Sequence, residues 1–126
     1  MFEISPQEIK EKISSIEEWK SKGFDAVKLY ENIDFSGVDF SNVSLHERKF
    51  YKCKLNGCNF RSSNLRESKF LQCELNNSIA LYSIGYFANF AHCSINNCKF
   101  HYCNFSGASF KPVSYTHLRA HETLRY

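Results

Sequence analysis

From Phe35 to Phe110 a large apolar residue returns at every fifth position: Phe35, Phe40, Leu45, Phe50, Leu55, Phe60, Leu65, Phe70, Leu75, Phe90, Ile95, Phe100, Phe105 and Phe110. Only Ala80 and Gly85 interrupt the series, so fourteen of sixteen beat positions are Phe, Leu or Ile. Random placement would give roughly four, which makes the pattern an internal repeat. A period of five fits neither a flat strand nor an amphipathic helix. Two residues before each beat runs a second column, mostly small: Val38, Val43, Cys53, Cys58, Ser63, Ser68, Cys73, Ser78, Ser83, Ala88, Cys93, Cys98, Cys103 and Ala108. Both columns point to one shared interior. The polar residues between them, such as Asn59, Arg61, Asn64 and Glu67, read as a solvated shell.

The units VDFSN, CNFRS, SNLRE, ANFAH and CNFSG resemble the pentapeptide repeat family, whose unit is a small residue, Asp or Asn, Leu or Phe, and two variable positions. The resemblance covers residues 33–112. It implies an all-β solenoid, a right-handed quadrilateral β-helix with four pentapeptides per coil. Here that would give about four coils and a stack roughly 19 Å tall. A period of twenty is visible without the family: Gly37, Gly57, Asn77 and Asn97 fall in register, as residues tolerant of positive φ would in tight turns. Beside them Ser36, Asn56, Asn76 and Asn96 align as a polar ladder able to hydrogen-bond from coil to coil.

All six cysteines, Cys53, Cys58, Cys73, Cys93, Cys98 and Cys103, occupy the small interior column and read as small hydrophobes. Ligand pairs at zinc spacing are absent, and parallel stacking one coil apart is poor geometry for bridging. No metal or cofactor is expected, and reduced thiols suit a reducing compartment.

Before the repeats, Ser5, Pro6 and Glu8 predict a helix over residues 6–22 that Gly23 ends, with Ile9, Ile13, Ile16 and Trp19 as its apolar stripe. A repeat stack exposes apolar surface and unpaired backbone at its ends, so this N-terminal α-helical cap is expected on the first coil. The organisation is then a cap over 1–30, the repeat over 31–112, and a non-repeat tail over 113–126. The tail, from Val113 through Thr123, reads like translated sequencing-adapter DNA and is treated as artefactual. The start of the chain shows neither a basic leader nor an apolar run, so a cytoplasmic, bacterial, membrane-free protein is the expectation.

Between Leu75 and Phe90 the outward positions become apolar: Ile79, Leu81, Tyr82, Ile84, Tyr86 and Phe87. One explanation is a slip of one residue after Leu75 that takes Leu81 and Tyr86 inside and recovers by Phe90. The other is an exposed aromatic patch marking a protein contact or a homodimer seam. Either way these six residues are the partner-binding candidates.

Charge narrows the function. Within 33–112 the acids Asp34, Asp39, Glu47, Glu67 and Glu74 are outnumbered by nine Lys and Arg, and the chain carries a net charge of +3. That disfavours DNA mimicry, a property associated with the gyrase-binding Qnr and MfpA proteins of the family. Lys49 and Lys69, with Arg66 across the corner, form a basic patch. A nucleic acid partner is a third-ranked reading, because aromatic platforms are not interleaved with these cations. No phosphate loop, nucleophile or paired acid and base can be picked out, and His46, His92 and His101 read as surface imidazoles. His117 and His121 are four apart but do not form a His-Glu-x-x-His motif. The expected function is a non-catalytic protein-interaction module or scaffold, and the alternative is a partner of DNA gyrase or topoisomerase.

Overall fold

The computed structural model describes residues 8–110. In chain order the elements are β1 (Glu11–Lys12), helix α1 (Ile16–Ser21), a 3-10 turn (Phe24–Ala26), and six further short strands. These are β2 (Leu29–Glu31), β3 (Ile33–Asp34), β4 (Lys49–Tyr51), β5 (Lys69–Leu71), β6 (Ile79–Leu81) and β7 (Lys99–His101). All pairings are parallel, and from β2 onward each joins residues twenty apart: Leu29 with Lys49, Lys49 with Lys69, Ile79 with Lys99. Isolated bridges such as Asp39 with Asn59 and Ile84 with Asn104 keep the same offset. The chain is therefore an all-β solenoid whose turns stack in register.

Each part of the five-residue unit has a physical job. The Asp or Asn before the beat accepts the N–H two residues on: Asp34 from Ser36 at 2.9 Å, Asn59 from Arg61 at 2.9 Å, Asn104 from Ser106 at 3.1 Å. That is an Asx-type turn, and it supports the bend in the units that carry Asp or Asn there. The residue two after the beat then takes positive φ. Gly37 and Gly57 do so at 81° and 68°, and Asn77 and Asn97 at 64° and 59°. The polar ladder forms as the period of twenty requires: the N–H of Asn76 donates to Asn56 Oδ1, and that of Asn96 to Asn76 Oδ1, both at 2.9 Å.

The interior is a filled core. Tyr30, Phe50, Phe70, Phe90 and Phe110 form one stack with centroid spacings of 4.8, 4.8, 5.1 and 4.9 Å. That spacing is the strand separation itself, so the ladder sets the ring geometry. The small column does more than fill space. Each cysteine thiol donates to the carbonyl twenty-three residues back, as Cys58 to Phe35 O at 3.1 Å and Cys98 to Leu75 O at 2.7 Å, and Ser78 does the same to Leu55 O at 2.7 Å. Where the column carries Cys or Ser its side chain also donates, while Val38, Val43, Ala88 and Ala108 only fill space. Burial pushes the thiols of Cys58 and Cys98 up to about 12 and about 11, and raises those of Cys73 and Cys103 as well. All six cysteines are free and buried.

Two expectations are corrected. The helix expected over 6–22 is confined to Ile16–Ser21, and residues ahead of it pair as β1 with β3. The N–H groups of Lys10 and Ile13 donate to Asn32 O and Asp34 O at 2.8 and 2.9 Å, so pairing with exposed strand backbone outcompetes helical periodicity here. The helix is capped instead by Ser15, whose Oγ accepts the Glu18 N–H at 3.1 Å, while Glu18 accepts the Ser14 N–H at 2.8 Å. Ile13 and Trp19 are buried, and Trp19 meets Phe40 edge-on at 5.9 Å. Ser5 and Pro6, and the tail with His117 and His121, lie outside the described residues.

The second correction concerns the interruption: the chain does not slip. Ala80 pairs with Phe100 and stays buried, Gly85 also faces inward, and Leu81 and Tyr86 remain half-buried on the outer side. The reason lies one turn above. A Cβ on Gly85 would overlap Cδ1 and Cε1 of Phe105, so the Phe105 ring already occupies the volume that a beat residue would fill. A slip would also break the bonds from the N–H groups of Ile79 and Ile84 to Cys58 O and Ser63 O, at 3.0 and 3.1 Å.

Candidate functional site

With the register kept, the six candidates are distributed over two adjacent sides of the solenoid and the corners at Tyr82 and Phe87. Ile79 stands in a column with Asn59 and Lys99, Leu81 pairs with His101, and Ile84 stands between Asn64 and Asn104. Ile79, Tyr82, Ile84 and Phe87 are 40%, 55%, 42% and 66% exposed. Tyr102, absent from the sequence-based candidates, is the most exposed of the group at 71% and stacks on Tyr82 at 5.3 Å with an interplanar angle of 12°. Reading Tyr82 twenty residues on would have found it. The guanidinium of Arg61 lies over the other face of the pair, 5.8 Å from the Tyr82 centroid.

The backbone makes this aromatic group costly. Tyr82, Phe87 and Tyr102 occupy turn positions with φ of 59°, 60° and 55°, where bulky residues are uncommon and Gly or Asn fit more easily. Gly107 gives Phe87 room, because a Cβ there would lie 2.5 Å from its ring. Tyr86 is oriented by its hydroxyl, which accepts from Asn104 Nδ2 at 3.2 Å. The result is a strip of rings and aliphatic side chains around an open depression that Tyr82, Ile84, Tyr86, Tyr102 and Asn104 line.

The basic patch sits at the next corner and is electrically mixed. Lys49 and Lys69 are register partners and exposed, but they line the same shallow depression as Glu47, Glu67, Arg48 and Phe87. Arg66 is exposed beside it, with Nε donating to Asn64 Oδ1 at 3.3 Å. His46 Nε2 is 3.3 Å from Glu67 Oε1, and these two with Glu47 bring one ligand atom each within 4.8 Å of one another. The neighbouring lysines oppose a cation there, so the cluster reads as an exposed side-chain hydrogen bond between His46 and Glu67. Among the described residues no helix is long and apolar enough to cross a membrane.

Comparison with known proteins agrees with this architecture. A pentapeptide repeat region model matches residues 26–81, and a model of eight-copy pentapeptide repeats matches residues 87–111. Among curated protein sequences none matches. Among solved structures, a pentapeptide repeat protein from the Arabidopsis thaliana thylakoid lumen superposes with a TM-score of 0.55 at 21% identity, over 71% of this chain and 61% of that one. QnrB1, a plasmid-mediated fluoroquinolone resistance protein, gives 0.39 at 17% identity over 80% and 66% of the two chains. Rfr23, a pentapeptide repeat protein of the cyanobacterium Cyanothece, gives 0.26 at 14% over 64% and 61%. This chain spans less than two thirds of each of these proteins. The first likeness shows a shared fold, and the other two carry no weight on function. With two models of one family covering both halves of the stacked region, and a unit whose beat, small and turn positions have structural tasks, the chain belongs to the pentapeptide repeat family.

Proposed function

We propose that the protein is a non-catalytic interaction module whose contact surface is the strip of Ile79, Tyr82, Ile84, Phe87 and Tyr102. The observation that carries this is three exposed aromatic residues held at left-handed turn positions, where an asparagine would cost less. A soluble fold keeps such side chains on its surface against its own stability when they are used for contact. The non-catalytic reading is supported by an interior packed with side chains and by burial that pushes up the thiols of Cys58, Cys73, Cys98 and Cys103, that of Cys58 to about 12. The same reading includes a right-handed stack of about four coils, closed at its first coil by α1 through Trp19 on Phe40, and a reducing, cytoplasmic setting that suits six free thiols.

The test pairs binding with stability. Tyr82→Asn and Phe87→Asn place polar residues where the turn accepts them, so thermal unfolding should be unchanged or shifted upward. Capture of a partner on immobilised protein should fall sharply in the same variants. Unfolded variants, or undiminished capture, refute the reading.

A further inference from the structure

We infer that this face takes an acidic, amphipathic protein segment, one in which carboxylates alternate with aliphatic side chains. The inference rests on the contact reading above and adds the chemistry of the partner. Residues 57–67, 77–87 and 97–107, which build this surface over three successive turns, contain one acid, Glu67, which lies beneath Phe87 with its Oε1 3.3 Å from His46 Nε2. They contain Arg61, Arg66 and Lys99. Among the described residues Arg61 and Lys99 make no ion pair, so their charge is uncommitted. Both cations stand beside apolar neighbours: Arg61 against the Tyr82 ring, and Lys99 next to Ile79 in the same column. A partner presenting a carboxylate beside an aliphatic group satisfies both members of each pair, and like-charged partners are repelled.

Two other occupants fit less well. A second copy of this chain meeting the same face across a two-fold axis would set Arg61 and Lys99 against cations of the same face. Single-stranded nucleic acid needs open ring faces for its bases, yet Tyr82 is covered on one side by Tyr102 and on the other by Arg61. What the face offers is a stacked tyrosine pair, Ile79 and Ile84, and cations at its border, which is the composition that peptide-binding surfaces use.

The experiment is an amide chemical-shift titration of the whole isotope-labelled protein with three probes: a short peptide alternating Leu with Glu, the same peptide with Gln replacing Glu, and oligothymidylate. The Leu–Glu peptide should shift amides of residues 59–61, 79–87 and 99–104. It should bind about tenfold more tightly than its Gln counterpart, and Arg61→Ala and Lys99→Ala should each weaken it about threefold. Equal binding of the two peptides, or shifts centred instead on Lys49 and Lys69, overturns the inference. Oligothymidylate shifting the same amides more strongly than the Leu–Glu peptide overturns it in favour of nucleic acid. A dimer in sedimentation that Tyr82→Asn dissolves overturns it in favour of self-association. If the acid preference is absent while Tyr82→Asn still abolishes partner capture, only the acidic chemistry fails. If capture too is unaffected, the contact reading falls with it.

Discussion

A designer guided by the repeat alone would restore the missing beat with Gly85→Leu and expect a more stable protein. The packing predicts the opposite. Gly85 has no positive-φ requirement, so backbone strain is not at issue, but its missing side chain is replaced by the Phe105 ring from the turn above. Leu at position 85 therefore competes with Phe105 for one volume, and overpacking of this kind costs about 1–3 kcal/mol. Phe105→Leu alone leaves a partial cavity, with a loss of about 1–2 kcal/mol. The two changes together restore the total volume, so the double variant should be less destabilised than the sum by about 1 kcal/mol or more. Urea unfolding followed by the fluorescence of Trp19, which is buried beside Phe40, measures all three stabilities. In thermal melts each kcal/mol corresponds to about 4–8 °C. A Gly85→Leu protein as stable as the parent, or strictly additive changes, would refute the claim that Phe105 fills the gap.

Two further outcomes follow from the ladders. Asn76→Ala removes the acceptor of both the Asn96 N–H and Ser94 Oγ, each at 2.9 Å, and should cost about 1–3 kcal/mol in denaturant unfolding. Asn96→Ala should cost less, because Asn96 Oδ1 has no partner among the described residues, and equal losses would show that the ladder is not directional. Cys58→Ser keeps a donor for Phe35 O and should stay within about 1 kcal/mol of the parent. In the unmodified protein an aromatic disulfide reagent should label the thiols only as fast as the chain unfolds, since they are buried and burial holds Cys58 up near 12. Prompt labelling of the native protein would contradict that.

The fold was readable because its determinants repeat: beat, small column and Asx position each recur often enough to rise above composition, and the period of twenty by itself sets Asn56 beneath Asn76. What stayed hidden was whatever depends on contact between turns. Gly85 looked like a defect in one unit because its explanation, Phe105, lies a full turn away. The strand at Glu11–Lys12 was hidden for a related reason: Ile9, Ile13 and Ile16 satisfy a helical stripe, and only the free backbone of residues 32–34 draws the segment into pairing. The contact strip was legible as apolar outward positions. Its cost became visible only in the φ values of Tyr82, Phe87 and Tyr102, which no residue count reveals.

The twenty-residue offset also governs how such a chain can change in length. Adding or removing one pentapeptide would preserve the written motif, yet it would rotate everything downstream by one side. Tyr102 would part from Tyr82, and the Asn56–Asn76–Asn96 series would lose its alignment. Only a whole lap of the spiral can be inserted or excised without re-pairing every column, so the quantum of growth for this architecture is four motifs, although its sequence is spelled in ones.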